Sequence, residues 1–98
     1  MPLHATMCRY DGVNGPIDEV VRAGRQLAAE LSQAPGFVSY AVLDTGDGVL
    51  VSVTVFEDRS DLDAADQLVG EWAAQHLAAL LPHPSEVIAG EVIVQRGM

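Results

Sequence analysis

Basic residues are scarce in this chain. Five Lys and Arg stand against fourteen Asp and Glu, a formal charge of −9 at pH 7. So acidic a surface repels phosphate backbones and anionic headgroups, which argues against nucleic acid or a membrane as partner. The surplus also serves solubility, and needs no cationic partner to account for it. Cysteine occurs once, as Cys8, so no internal disulfide can form and a reducing cytoplasm is the expected setting. A buried structural thiol is expected there, not a nucleophile. No apolar run approaches the roughly 18 residues a membrane helix needs. Met1-Pro2-Leu3-His4 offers neither the basic region nor the apolar run of a signal peptide. Three histidines and one cysteine, scattered along the chain, lack metal-ligand spacing. Gly46-Asp47-Gly48 has no helix after it and so is no phosphate loop, and a nucleophile elbow is also missing. Haem, flavin and metal are therefore not expected.

What is present is a globular composition: 49% apolar and 19% charged residues. Ninety-eight residues make one domain, residues 1–98, able to bury roughly two-thirds of its unfolded surface. Residues 3–10 alternate as a strand, with Leu3, Ala5 and Met7 on one side and His4, Thr6 and Cys8 on the other. Asp11 to Gly15 is turn chemistry, and Pro16 suits the first helical position. Ile17, Val20, Val21, Gly24, Leu27, Ala28 and Leu31 then recur at helical spacing until Ala34-Pro35-Gly36 stops the helix. A hairpin spans 37–56 around Gly46-Asp47-Gly48. Ser60, with Asp63 in capping-box position, is expected to open a second helix reaching Leu81 and ended by Pro82-His83-Pro84. Glu57, Asp58 and the aspartates from 61 to 66 read as a solvated helix start that suits the dipole. Glu86 to Arg96 reads as a last strand.

The order β-α-β-β-α-β is the ferredoxin-like pattern: an α+β fold with a four-stranded antiparallel sheet and both helices on one face. The first and third strands should lie in the middle. The third, Val49 to Phe56, is the most apolar, as a central strand should be. Alternation sets Val49, Val51, Val53 and Val55 on one face and Leu50, Ser52, Thr54 and Phe56 on the other. On the neighbouring strand it sets Val38, Tyr40 and Val42 apart from Phe37, Ala41 and Leu43. Two helices cover one face only. The other would expose more apolar area than the few hundred Å² that monomers usually tolerate. The chain has no further strands, so a second copy, sheet on sheet about a two-fold axis, is the expected cover.

With Pro35-Gly36-Phe37 opening the second strand, and Phe56-Glu57-Asp58 leading into a helix, the chain resembles the dimeric α+β barrel superfamily over its whole length. Its nearest branch is the small proteins similar to antibiotic biosynthesis monooxygenases. The resemblance implies a homodimer and, among that group's activities, cofactor-independent oxidation of aromatic polyketides or haem degradation. The haem-degrading branch uses an Asn on its first strand, with a Trp and a more distant His on its second helix. Here that strand has no Asn, and Trp72 and His76 are only four apart. The quinone-forming oxygenases use Asn, Trp and Tyr. Trp72 is a counterpart, and Tyr10 and Tyr40 are candidates by type.

Between helices and sheet such a fold can open a cavity walled by the second helix. Val69, Trp72, Ala73, His76 and Leu80 share a stripe there. His76 could act as general base at neutral pH, and Trp72 could stack on a planar substrate. Equally, Trp72 could plug the core, with His76 held by a backbone carbonyl or a hydroxyl. Hydroxyls are costly in a dry core unless bonded, so the mixed face suits a pocket. Thr6, Ser52, Thr54 and Phe56 are its candidate substrate contacts, unless the hydroxyls only satisfy one another or the backbone. Two functions follow: a cofactor-free monooxygenase of a small polyketide- or quinol-like aromatic, or a non-catalytic binding or accessory homodimer.

Overall fold

In the computed structural model, which describes residues 2–13, 16–76 and 84–97, six elements follow the expected order. They are β1 (His4–Tyr10), α1 (Ile17–Leu31), β2 (Phe37–Asp44), β3 (Leu50–Phe56), α2 (Arg59–His76) and β4 (Glu86–Glu91). The sheet is antiparallel in the order β2-β3-β1-β4, so the two strands expected in the middle are there. Both helices pack on the face that carries Thr6, Leu50, Ser52, Thr54 and Phe56, all of them buried.

In α1 the buried residues Val20, Leu27 and Leu31 fall on one stripe, and Asp18 and Glu19 meet the positive end of the helix. Pro16 is the residue before the helix and not its first; its carbonyl accepts from the Glu19 N–H at 3.2 Å. Mid-helix, Gly24 costs about 1 kcal/mol relative to alanine. The start of α2 also differs from expectation. Asp58, not Ser60, is the cap: its Oδ1 accepts from the Asp61 N–H at 2.9 Å and from the Ser60 hydroxyl at 2.9 Å. That backbone bond, more than the Ser60 hydroxyl, holds the Asp58 carboxyl below its ordinary range. The end expected at Leu81 lies outside the described residues.

Gly36 permits the turn from α1 into β2. Its φ is +77°, and a Cβ there would come within 2.5 Å of the Asp61 carboxylate. The β2–β3 register then shifts between Phe37 and Ser39, so a bulge interrupts the alternation. Phe37 thereby joins Tyr40 on the helix side, not Ala41 and Leu43 on the other. It meets Phe56 edge-on at 5.7 Å between ring centroids. Phe56 and Leu31 are wholly buried, and with Leu27, Leu62, Ala65 and Trp72 they form the core. Each large side chain among them contributes about 1.5–3 kcal/mol by leaving water.

The last strand stops at Glu91, short of Arg96. His4 pairs with Glu91, so the register would next set Leu3 opposite Val92 and Pro2 opposite Ile93. The Val92 N–H does reach the Leu3 carbonyl at 2.7 Å. The Pro2–Ile93 position is a non-bonded one of the ladder, and the next bonded partner, residue 1, lies outside the described residues; Ile93 and Val94 stand exposed. Among the described residues no helix is long and apolar enough to cross a membrane.

Candidate functional site

Between α1 and the helix-facing side of β1, β2 and β3 lies an apolar cavity of about 270 Å³. Its main wall is α1, through Val20, Gly24, Leu27 and Ala28, and α2 adds Val69 and Ala73. The sheet supplies Leu50 and three hydroxyl-bearing residues, Tyr10, Tyr40 and Ser52. At the rim, exposed Arg25 and Asp44 are the charged groups among the described lining residues. Such a space, apolar with a few placed polar groups, is what small-molecule sites are made of, though its volume falls just below their roughly 300–1,000 Å³ range.

The polar groups are held in their neutral forms. Burial, with the nearby Cys8 next in size, pushes the Tyr10 phenol up to about 12. The Tyr40 phenol is raised by burial as well. At neutral pH both are hydroxyls able to donate to a ligand oxygen. Burial also raises the Cys8 thiol, only partly offset by the Ser52 hydroxyl. The thiol is half-buried and in its un-ionised form at neutral pH, which suits packing better than nucleophilic attack.

The residues singled out from sequence occupy distinct places. Ser52 lines the cavity. Thr6 is buried under α2, where its hydroxyl donates to Asp66 Oδ2 at 2.7 Å. Asp66 is thus not part of a wholly solvated helix start; it is half-buried, and burial raises its carboxyl above the ordinary range. Thr54 is buried on β3, and Phe56 sits in the core beside Trp72. The Trp72 and His76 rings lie tilted against each other, with centroids 4.7 Å apart and planes 39° apart. Trp72 is only 8% exposed, whereas His76 is exposed. Neither is among the residues lining the cavity, although Ala73, next to Trp72, is. Leu80 lies outside the described residues. The larger wall, α1, carried its own sequence signal: small Gly24 and Ala28 on the inward stripe of an otherwise bulky-faced helix. Among the described residues no group of three or more His, Cys, Asp or Glu is placed to hold a metal ion.

Solved structures share this architecture. A protein of unknown function, NE2512 of Nitrosomonas europaea, superposes with a TM-score of 0.82 at 15% identity, over 100% of this chain and 96% of its own. SnoaB, a cofactor-independent oxygenase from Streptomyces nogalater, gives 0.71 at 22% identity, over 100% and 98%. Rv0793 from Mycobacterium tuberculosis gives 0.71 at 18% identity, over 97% and 99%. Likeness at these identities concerns the fold alone. No curated protein sequence matches the chain. The family model for antibiotic biosynthesis monooxygenases matches residues 6–78, from β1 through the described end of α2. The chain belongs to the antibiotic biosynthesis monooxygenase family.

Proposed function

We propose that this protein is a cofactor-independent monooxygenase of a small polyketide- or quinol-like aromatic, working in the cytoplasm as a homodimer. The observation that carries the reading is the apolar cavity with the hydroxyl-bearing residues Tyr10, Tyr40 and Ser52 on its sheet side. A planar ring system would lie against Val20, Leu27 and Val69, with its oxygens toward those hydroxyls. Loss of a phenolic proton leaves an electron-rich anion, which reduces dioxygen and forms the new C–O bond. The resulting hydroperoxide loses water to give the quinone, so one dioxygen is used per substrate and no external reductant enters. The protein contributes orientation and deprotonation. The proposed base, His76, and aromatic platform, Trp72, stand on α2 outside this cavity's lining, Trp72 next to the cavity-lining Ala73, so the substrate would have to extend past Ala73 to meet them. Thr6, Thr54 and Phe56, on the same sheet face as Ser52, are proposed to support it from outside the cavity lining. The dimer reading is supported by the open sheet face, where Met7, Leu43 and Ile88 are exposed beside Val51 and Val53.

The second reading, a non-catalytic binding homodimer, is favoured by one feature: the cavity has no histidine among its described lining residues. Oxygen consumption with anthrone-like phenols and hydroquinones separates the two. Under the first reading the wild type consumes one dioxygen per substrate, and His76→Ala loses that turnover while remaining folded. Equal rates in the two proteins would take His76 out of the chemistry. Saturable quenching of Trp72 fluorescence without oxygen uptake would leave the binding reading.

A further inference from the structure

Gly24 is where the helix stability of this fold and the size of its cavity conflict. It lies in the interior of α1 with ordinary helical backbone, since it is not among the glycines with positive φ. A Cβ built there meets no atom beyond its own stretch of helix within 4 Å. Close packing against a neighbour therefore does not require glycine. What a side chain would enter is the cavity, which Gly24 lines. Ala28 on the next turn, and Ala73 on α2, keep the adjoining wall low. Across the space stand Tyr40 and Val42 of β2. In a volume of about 270 Å³, a leucine at position 24 would take up much of the room between α1 and β2.

We propose that Gly24 sets the upper size of ligand, admitting planar molecules wider than a single ring that a larger residue would exclude. The inference rests on the reading that the cavity takes an apolar ligand. It adds the residue that limits that ligand's breadth. Gly70 supplies a control within the same molecule: it too is helical and free of neighbours within 4 Å, but it is exposed on α2 and lines no part of this cavity.

The test is calorimetric titration of phenol and 1-naphthol, a one-ring and a two-ring probe, into the wild type, Gly24→Ala, Gly24→Leu and Gly70→Ala. Thermal melts are recorded alongside. Both alanine variants should melt higher than the wild type, because each replaces a helical glycine at an uncrowded position. Gly24→Leu should weaken 1-naphthol by at least about tenfold while changing phenol by less than about threefold. Gly70→Ala should leave both affinities unchanged. Wild-type affinity of Gly24→Leu for 1-naphthol, or an equal loss for both probes, would overturn the size limit and leave the proposed function standing. Failure of the wild type to bind either probe would remove the ligand-pocket reading, and the inference with it. Should Gly24→Leu fail to fold, Gly24→Val takes its place with the same expected ordering of the two probes.

Discussion

Tyr10 ties the chemistry of the cavity to the stability of the fold. Its phenol is pushed up to about 12 from an ordinary value of 10.0, chiefly by burial. The folded state thus holds this proton more firmly than the unfolded chain does. Its contribution to stability is fully present below pH 10 and is lost as pH rises from 10.0 towards about 12. Tyr10→Phe has no such proton to lose. Its melting temperature should fall less steeply than the wild type's across that interval, with Tyr40 accounting for part of the remaining slope. Parallel curves for the two proteins would show that Tyr10 is not held in this way. At neutral pH the same burial keeps the hydroxyl a donor, which is the property a ligand oxygen would use. The Thr6–Asp66 hydrogen bond is a comparable case of one residue serving two neighbours. It satisfies a hydroxyl that burial would otherwise leave costly, and it ties α2 to β1.

At the scale of elements, small local choices set the geometry of the sheet and helices. Gly36 lets β2 begin directly beneath the first turn of α2. The bulge that follows turns Phe37 inward to meet Phe56. Asp58 then starts α2 within two residues of the end of β3. Asp58→Ala should cost about 1 kcal/mol. In a domain of this size that lowers the melting temperature by about 4–8 °C. Ser60→Ala, which removes only a solvent-facing hydroxyl bound to the cap, should cost a few tenths of that. Urea unfolding of the two variants measures both, and the reverse ranking would return the cap to Ser60. Strand β4 makes the complementary point. Val92-Ile93-Val94 has every local preference for a strand, yet β4 ends at Glu91 because the partner strand β1 begins only at His4, and one bond, from the Val92 N–H to the Leu3 carbonyl, lies beyond that pair.

For the whole molecule, the governing fact is that two helices cover one face of a four-stranded sheet. The other face presents Met7, Leu43, Val51, Val53 and Ile88. Packing two such faces together about a two-fold axis would bury them at once, with the exposed Arg9–Asp11 pair of each protomer toward the rim. Val53→Asp places an unpaired carboxylate in the middle of that face, and burying it would cost several kcal/mol. Sedimentation should show the wild type as a dimer at micromolar concentration and the variant as monomer or aggregate. A wild type that sediments as a stable, folded monomer would overturn the dimer.

Hydrophobic periodicity alone was sufficient for the element order, the two central strands and the apolar third strand. Each depends on residues near one another along the chain: alternation in β3, a 3.6-residue stripe in α1, glycine and proline at the turns. Family membership was legible for the same reason, since it follows element order. The site was legible only in part. Ser52 and the candidate tyrosines could be named by type and face, and Gly24 and Ala28 lay in plain view on the α1 stripe. That α1 and not α2 forms the main wall depends on how each helix sits on the sheet, which no local pattern encodes. The bulge at Phe37–Ser39 reverses a side chain through one extra residue, so alternation counted along the strand points it to the wrong face. The contact of Trp72 with His76 is local, four residues apart on α2, whereas the burial of Asp66 against Thr6 arises where a helix meets a strand 60 residues away in the chain. Contacts of that kind are decided by tertiary packing, because their energy exists only once both elements are in place.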